Sequence, residues 1–94
     1  MPVIETRVVL TNKLGLHARP STQIAQAAGK FDAAIQLAKD GLSVDAKSVL
    51  ELLMLAAECG SELVITADGD DADAAVAEIK QLVDSRFGEL DVDA

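Results

Sequence analysis

The chain carries a single histidine, His17, in the run Gly15-Leu16-His17-Ala18-Arg19-Pro20. A proline shortly after a loop glycine marks a helix start, because its ring fits the first turn and its missing N–H is not needed there. His17 is therefore predicted at or just before the N-terminus of a helix running toward Gly29. Free backbone N–H groups and the positive end of the helix dipole make such a spot an anion site. Arg19 adds a permanent cation that can fork onto a phosphate. A cation at a helix N-terminus is mildly unfavourable by charge alone, which makes sense if an anion visits. Imidazole, anion pocket and guanidinium together describe a place where histidine carries a phosphoryl group. Protonating the ring of a phosphoramidate makes it a good leaving group, as a carrier needs. The competing reading is a helix-start histidine making a local hydrogen bond, and the residues around it favour the carrier. Lys13, in the preceding loop, is either a second cation for this site or a solvated lysine.

A second stretch, Ala46-Lys47-Ser48-Val49-Leu50-Glu51, also reads as a helix start. Ser48-x-x-Glu51 has the form of a capping box, in which the serine caps the helix and the glutamate reaches back. The same free N–H groups would accept a phosphate on Ser48. Val49, Leu50, Leu53 and Met54 form an apolar stripe behind it. Leucine and alanine fill this segment so fully that one helix cannot bury them all against one sheet. An exposed apolar cluster beside charged residues has the character of an interface.

The elements that must position these residues follow from periodicity and turn chemistry. Ile4 to Leu10 alternates as a half-buried strand, with Glu5, Arg7 and Val9 on the other face. Thr11 to Leu16 is a loop, and Ile24, Ala25, Ala27 and Ala28 give a short helix that Gly29 stops. Ala34 to Lys39 and Leu42 to Asp45 flank Asp40-Gly41, a strong hairpin signal. A helix is predicted over Ser48 to Cys59, ending at Gly60, followed by a strand over Glu62 to Ala67. Asp68-Gly69 turns the chain into a last helix, with Asp70, Asp71 and Asp73 at its start and apolar residues from Ala72 through Phe87. Gly88 closes that helix, and 89–94 reads as a frayed acidic tail after a single domain over 1–88. The order β-α-β-β-α-β-α fits an α+β fold, a four-stranded antiparallel sheet with helices on one face. Its first six elements also match the split βαβ, ferredoxin-like pattern, and pattern alone does not separate the two.

Gly15 to Pro20 resembles the active-site signature of the histidine-containing phosphocarrier (HPr) family of the bacterial sugar phosphotransferase system. Ala46 to Leu50 resembles that family's regulatory-serine segment at the expected separation, and the resemblance runs from about Val3 to Gly88. It implies an open-faced sandwich with three helices on one side of the sheet. It also implies that His17 accepts a phosphoryl group, on Nδ1, from a phosphoenolpyruvate-dependent Enzyme I. The group then passes to an enzyme IIA-type component of sugar uptake, with Arg19 stabilising the charge in transit. Such a protein is a stoichiometric carrier, not an enzyme, expected to act as a monomer without metal or cofactor. Ser48 matches the serine modified by an HPr kinase/phosphorylase, and Val49, Leu50 and Leu53 match the docking patch, rimmed by Lys13, Arg19 and Lys47. Three positions depart from the pattern: Ser21 stands where alanine is usual, Glu51 where enteric members carry lysine, and Gln26 where another basic residue is found. The implied basic docking face is thinner here.

Composition narrows the alternatives. Of 94 residues, half are hydrophobic and the only aromatics are two phenylalanines, so one small aliphatic core is expected. The net charge of −8 comes from 62–94, where ten acids face two bases, while the motif-bearing part is neutral. An acidic chain without a basic, aromatic sheet face is a poor nucleic-acid binder. No apolar run reaches membrane-spanning length and no signal-like segment opens the chain, so a soluble cytoplasmic protein is expected. Cys59, alone, is expected as a buried thiol near a helix end, and a metal chaperone would need it paired. Two rivals remain: a paralogous carrier in a nitrogen-linked or regulatory relay, and a ferredoxin-like binding module without phosphotransfer.

Overall fold

The computed structural model of the chain describes residues 3–88; the acidic stretch at 89–94 lies outside the described residues. Four strands, β1 (Val3–Val9), β2 (Ala34–Lys39), β3 (Leu42–Asp45) and β4 (Glu62–Asp68), form one sheet in the order β1-β4-β2-β3. Every pairing is antiparallel, with Val9 opposite Glu62 at one end and Val3 opposite Asp68 at the other. This order settles the topology that pattern left open, in favour of the open-faced sandwich.

Three helices, α1 (Ala18–Ala28), α2 (Val49–Met54) and α3 (Ala72–Asp84), cover one face. Strand side chains alternate accordingly: Val8, Ile35, Leu37, Val44, Leu63, Ile65 and Ala67 are buried toward the helices, while Glu5, Arg7, Gln36, Ser43 and Glu62 are exposed on the open face. Helix α3 contributes Ala72, Ala75, Val76, Ile79 and Val83, a three- and four-residue spacing that lays one stripe on the sheet. Ile24 and Ala28 of α1 and Leu52 of α2 complete the aliphatic core.

The hairpin falls where its turn chemistry places it. Asp40 and Gly41 both take positive φ, 50° and 87°, the twist a two-residue hairpin loop needs. Two helix ends differ from expectation. Helix α2 stops at Met54 rather than Cys59, because Ala56 turns to φ 51° and sends the chain out of the helix. Cys59 is consequently exposed, not buried. Helix α3 ends at Asp84, and a 3-10 turn over Arg86–Gly88 brings Phe87 at φ 57° into the core by a route other than helical continuation.

Asp71 shows a helix-start acid used for tertiary structure. It stands at the N-cap of α3 without capping it. Its two carboxylate oxygens instead accept the backbone N–H groups of Asp32 and Ala33, at 2.8 and 2.9 Å. The N–H of Asp32 above all holds its carboxyl below the ordinary value of 3.8, with a further pull from Lys47.

Candidate functional site

His17 is the N-cap of α1. Its backbone is extended, at φ −95° and ψ −165°, and its carbonyl accepts the N–H of Ser21 at 3.0 Å to open the helix. Pro20 therefore sits inside the first turn, where an N–H has no helical partner to lose. The imidazole makes no capping hydrogen bond, and the first turn holds no acid. Among the described residues, α1 therefore starts without a side-chain cap from its N-cap residue and without a first-turn acid to offset its positive end. Arg19 is exposed and makes no ion pair with another described residue. The half-buried imidazole, the open helix start and the guanidinium lie within three consecutive residues, as the sequence led one to expect.

The loop that presents His17 is held by backbone contacts. Leu10 exchanges hydrogen bonds with 60–61: its N–H donates to the Ser61 carbonyl at 3.0 Å, and the Gly60 N–H donates to its carbonyl at 2.8 Å. Leu16, immediately before the histidine, donates its N–H to the Ala57 carbonyl at 2.9 Å. Gly15 takes φ +68° and packs so closely that a Cβ there would lie 2.5 Å from the Ala57 oxygen. Only glycine accommodates both conditions without displacing the backbone. Its carbonyl accepts two bonds, from Asn12 Nδ2 at 2.7 Å and from the His17 N–H at 3.1 Å. The fully buried Asn12 went unnoticed in the sequence, although an asparagine three residues before a glycine is a turn signal. Gly15 was noticed only as part of a motif; its contact with 57–58 is tertiary.

The other predicted residues divide between two ends of the sheet. The His17 loop joins the end marked by Val9 and Glu62. Ser48 belongs to the opposite end, where Ala46 donates its N–H to the Ile35 carbonyl beside the start of β2. Ser48 is the N-cap of α2, its Oγ accepting the Glu51 N–H at 3.2 Å. The expected return half of the capping box is replaced: Glu51 Oε1 accepts the N–H of Asp45, at 3.0 Å, rather than that of Ser48. Lys47 does not turn toward His17; its Nζ donates to the Phe31 carbonyl at 2.8 Å. Lys13 is exposed in the histidine loop.

Helix α2 bridges the two ends and carries the expected apolar surface. Leu50 is 74% exposed and Leu53 38%, while Val49 is half-buried. Met54, at the end of the same helix, is 70% exposed, and Leu14, in the histidine loop, is 64% exposed. Among the described residues no group of three or more His, Cys, Asp or Glu is placed to hold a metal ion, and no helix is long and apolar enough to cross a membrane.

The chain is similar to known proteins over nearly its whole length. The family model described as the PTS HPr component phosphorylation site matches residues 4–85. A phosphocarrier protein HPr of Treponema pallidum is 44% identical over 87 residues, 93% of this chain and 98% of that protein. A phosphocarrier protein NPr of Shewanella violacea is also 44% identical, over 95% of this chain and 98% of that one. Among solved structures, HPr from Thermoanaerobacter tengcongensis superposes with a TM-score of 0.89 at 37% identity, covering 93% of this chain and 98% of that one. With the matched model spanning the sheet, the three helices and the His17 loop, the chain belongs to the HPr family of phosphotransferase-system phosphocarriers.

Proposed function

We propose that His17 is the phosphoryl acceptor of this carrier, receiving the group on Nδ1 from a phosphoenolpyruvate-dependent Enzyme I. The imidazole lone pair attacks phosphorus, the new P–N bond forms as the donor's bond to phosphorus breaks, and the resulting phosphoramidate is later attacked by a group on an enzyme IIA-type acceptor. Atoms and charge balance without cofactor or metal, and the chain ends each cycle unchanged. The observation that carries the reading is the start of α1: an imidazole at the N-cap, a first turn without acid, and Arg19 two residues on. Helix-start N–H groups and a guanidinium stabilise the extra charge on the phosphoryl oxygens as it transfers. His17, the helix start and Arg19 all come from one chain, which is compatible with action as a monomer.

Docking is proposed on Val49, Leu50 and Leu53, supported by the exposure of the two leucines and of Met54 on the same helix. Lys13 and Arg19 supply the charged rim nearest His17. Lys47 joins that rim only by releasing the Phe31 carbonyl. Ser48 is proposed as the regulatory site of an HPr kinase/phosphorylase, supported by its half-exposed position at the start of the docking helix. Its hydroxyl already serves as a cap, and Glu51 stands beside it.

A second reading, the same chemistry in a paralogous relay with other partners, is favoured by the equal 44% identity to a protein named NPr and to one named HPr. Both readings are tested by incubating the chain with phosphoenolpyruvate and Enzyme I and measuring intact mass, then adding candidate acceptors. Gain of one phosphoryl group that is discharged onto a sugar-specific IIA component supports the first reading. Gain from a different Enzyme I homologue alone supports the second, and no gain from either overturns both.

A further inference from the structure

The position of His17 depends on a segment that is neither helix nor strand. After α2 the chain passes through Ala56 at φ 51°, a left-handed conformation that costs a residue bearing a Cβ about 1–2 kcal/mol. Such a conformation persists only where its surroundings over-determine it. Leu55 and Ala57 are buried on either side, which fixes the segment against the core. Ala56 donates its own N–H to the Leu53 carbonyl at 3.1 Å, and a further restraint comes from the sheet. Lys39, the last residue of β2, lies on the helix-facing side of its strand with Ile35 and Leu37, and its Nζ donates to the Ala56 carbonyl at 3.3 Å. The next carbonyl, that of Ala57, accepts the N–H of Leu16, and Gly15 packs against the same oxygen. A continuous path of contacts therefore runs from Lys39 through Ala56 and Ala57 to Leu16, the neighbour of His17. No motif flagged this lysine, and its partner is 17 residues away in sequence.

We propose that Lys39 is a positioning residue for His17, acting through the Ala56 carbonyl to hold the anchor on which the histidine loop rests. Its ammonium makes a charge-assisted bond to a carbonyl that the left-handed turn directs away from the helix ladder. Loss of that bond frees the Ala56–Ala57 peptide to rock, and Leu16 moves with it. The consequence for transfer rests on the reading of His17 as the phosphoryl acceptor; the mechanical link does not.

The test uses the full chain with Lys39→Met, which keeps a long apolar stem and removes the donor, and Lys39→Arg, which restores a cationic donor. Amide hydrogen exchange is followed at Leu16 and, as a control, at Ile79 in α3, alongside the rate of phosphoryl uptake at saturating Enzyme I. In Lys39→Met, exchange at Leu16 is expected to quicken by about 3- to 10-fold with Ile79 unchanged. Uptake is expected to slow by a similar factor without a change in Enzyme I affinity, and Lys39→Arg is expected to recover both. An unchanged Leu16 amide overturns the proposal. So does equal quickening at Leu16 and Ile79, which would make Lys39 a contributor to global stability, and so does a quickened Leu16 with undiminished uptake. If wild type takes up no phosphoryl group, the reading of His17 fails, and exchange at Leu16 still decides whether Lys39 holds the loop.

Discussion

The starts of α1 and α2 use one piece of helix chemistry in opposite ways. At α2, Ser48 accepts the Glu51 N–H, Glu51 lies in the first turn, and its carboxylate is engaged by the Asp45 N–H. That helix start carries its own side-chain cap and its own first-turn acid. At α1, the N-cap imidazole makes no capping bond, the first turn has no acid, and the charge beside it is the cation Arg19. By the ordinary rules of helix stability α1 is the worse-made start, giving up roughly 1 kcal/mol that a serine or aspartate cap supplies. On the proposed function, stability is forgone at the end of the sheet where His17 would hold a phosphate and retained at the other. Natural sequences break local rules chiefly at functional sites, and the two helix starts are separated by which of them breaks the rule.

The largest effect that sharpens this contrast is expected from Arg19→Ala. A guanidinium acting on the transition state changes rate more than folding, so transfer through His17 should slow by about 10- to 1,000-fold, on the order of 2–4 kcal/mol. Its thermal midpoint should barely move, since Arg19 is exposed and pairs with no described residue. Equal losses of rate and stability would make the α1 end structural too. The converse is expected of Ser48→Ala, which should lose about 1 kcal/mol with its cap and leave phosphoryl uptake at His17 intact. Urea melts and uptake rates on the same sample check both halves.

Ala56→Gly should have a smaller effect and the opposite sign. Relief of about 1–2 kcal/mol of left-handed strain exceeds the roughly 0.4–1 kcal/mol that glycine loses in chain entropy, so a modest gain in midpoint is expected. A loss would mean that Ala56 is not strained. The smallest effect concerns acid. The Asp71 carboxyl is held below its ordinary value by the Asp32 N–H, so the folded state binds this proton less readily than the unfolded chain. Its contribution is complete above the ordinary carboxylate value and is lost as pH falls through the lowered one. Asp71→Asn should accordingly flatten part of the acid limb of the stability curve. In wild type, exchange at the Asp32 and Ala33 amides should quicken in that window before exchange at Leu16. Simultaneous quickening would join ends that the account treats as separate.

Local chemistry made much of this legible. The bounds of β2 and β3 follow from Asp40-Gly41, because a two-residue turn fixes the register on both sides of it. The start of α1 follows from Pro20, and the cap of α2 from Ser48. What sequence did not show was imposed from a distance. Alanine and leucine through 57 read as continued helix, yet Ala56 takes positive φ, α2 ends at Met54 and Cys59 is left in solvent. Lys47 beside Ser48 looked like part of a basic rim, but its Nζ finds the Phe31 carbonyl 16 residues away. Asp71 stands at the helix start as its sequence position suggests, and what sequence does not show is that its carboxylate ties α3 to the 32–33 backbone. The contacts of Lys47 and Asp71 share one property: the partner lies on another element, where no spacing rule reaches.

The central claim, that the incompletely capped start of α1 exists to hold a phosphoryl group on His17, is tested most directly on the phosphorylated protein itself. The chain is charged by Enzyme I and phosphoenolpyruvate, then held in warm acid or in alkali, with His17→Ala treated in parallel. The account predicts one phosphoryl group on wild type, lost in acid and kept in alkali as an N-linked phosphate must be, and none on His17→Ala. A label on His17→Ala, or a phosphate on wild type that survives acid as an ester does, would contradict it.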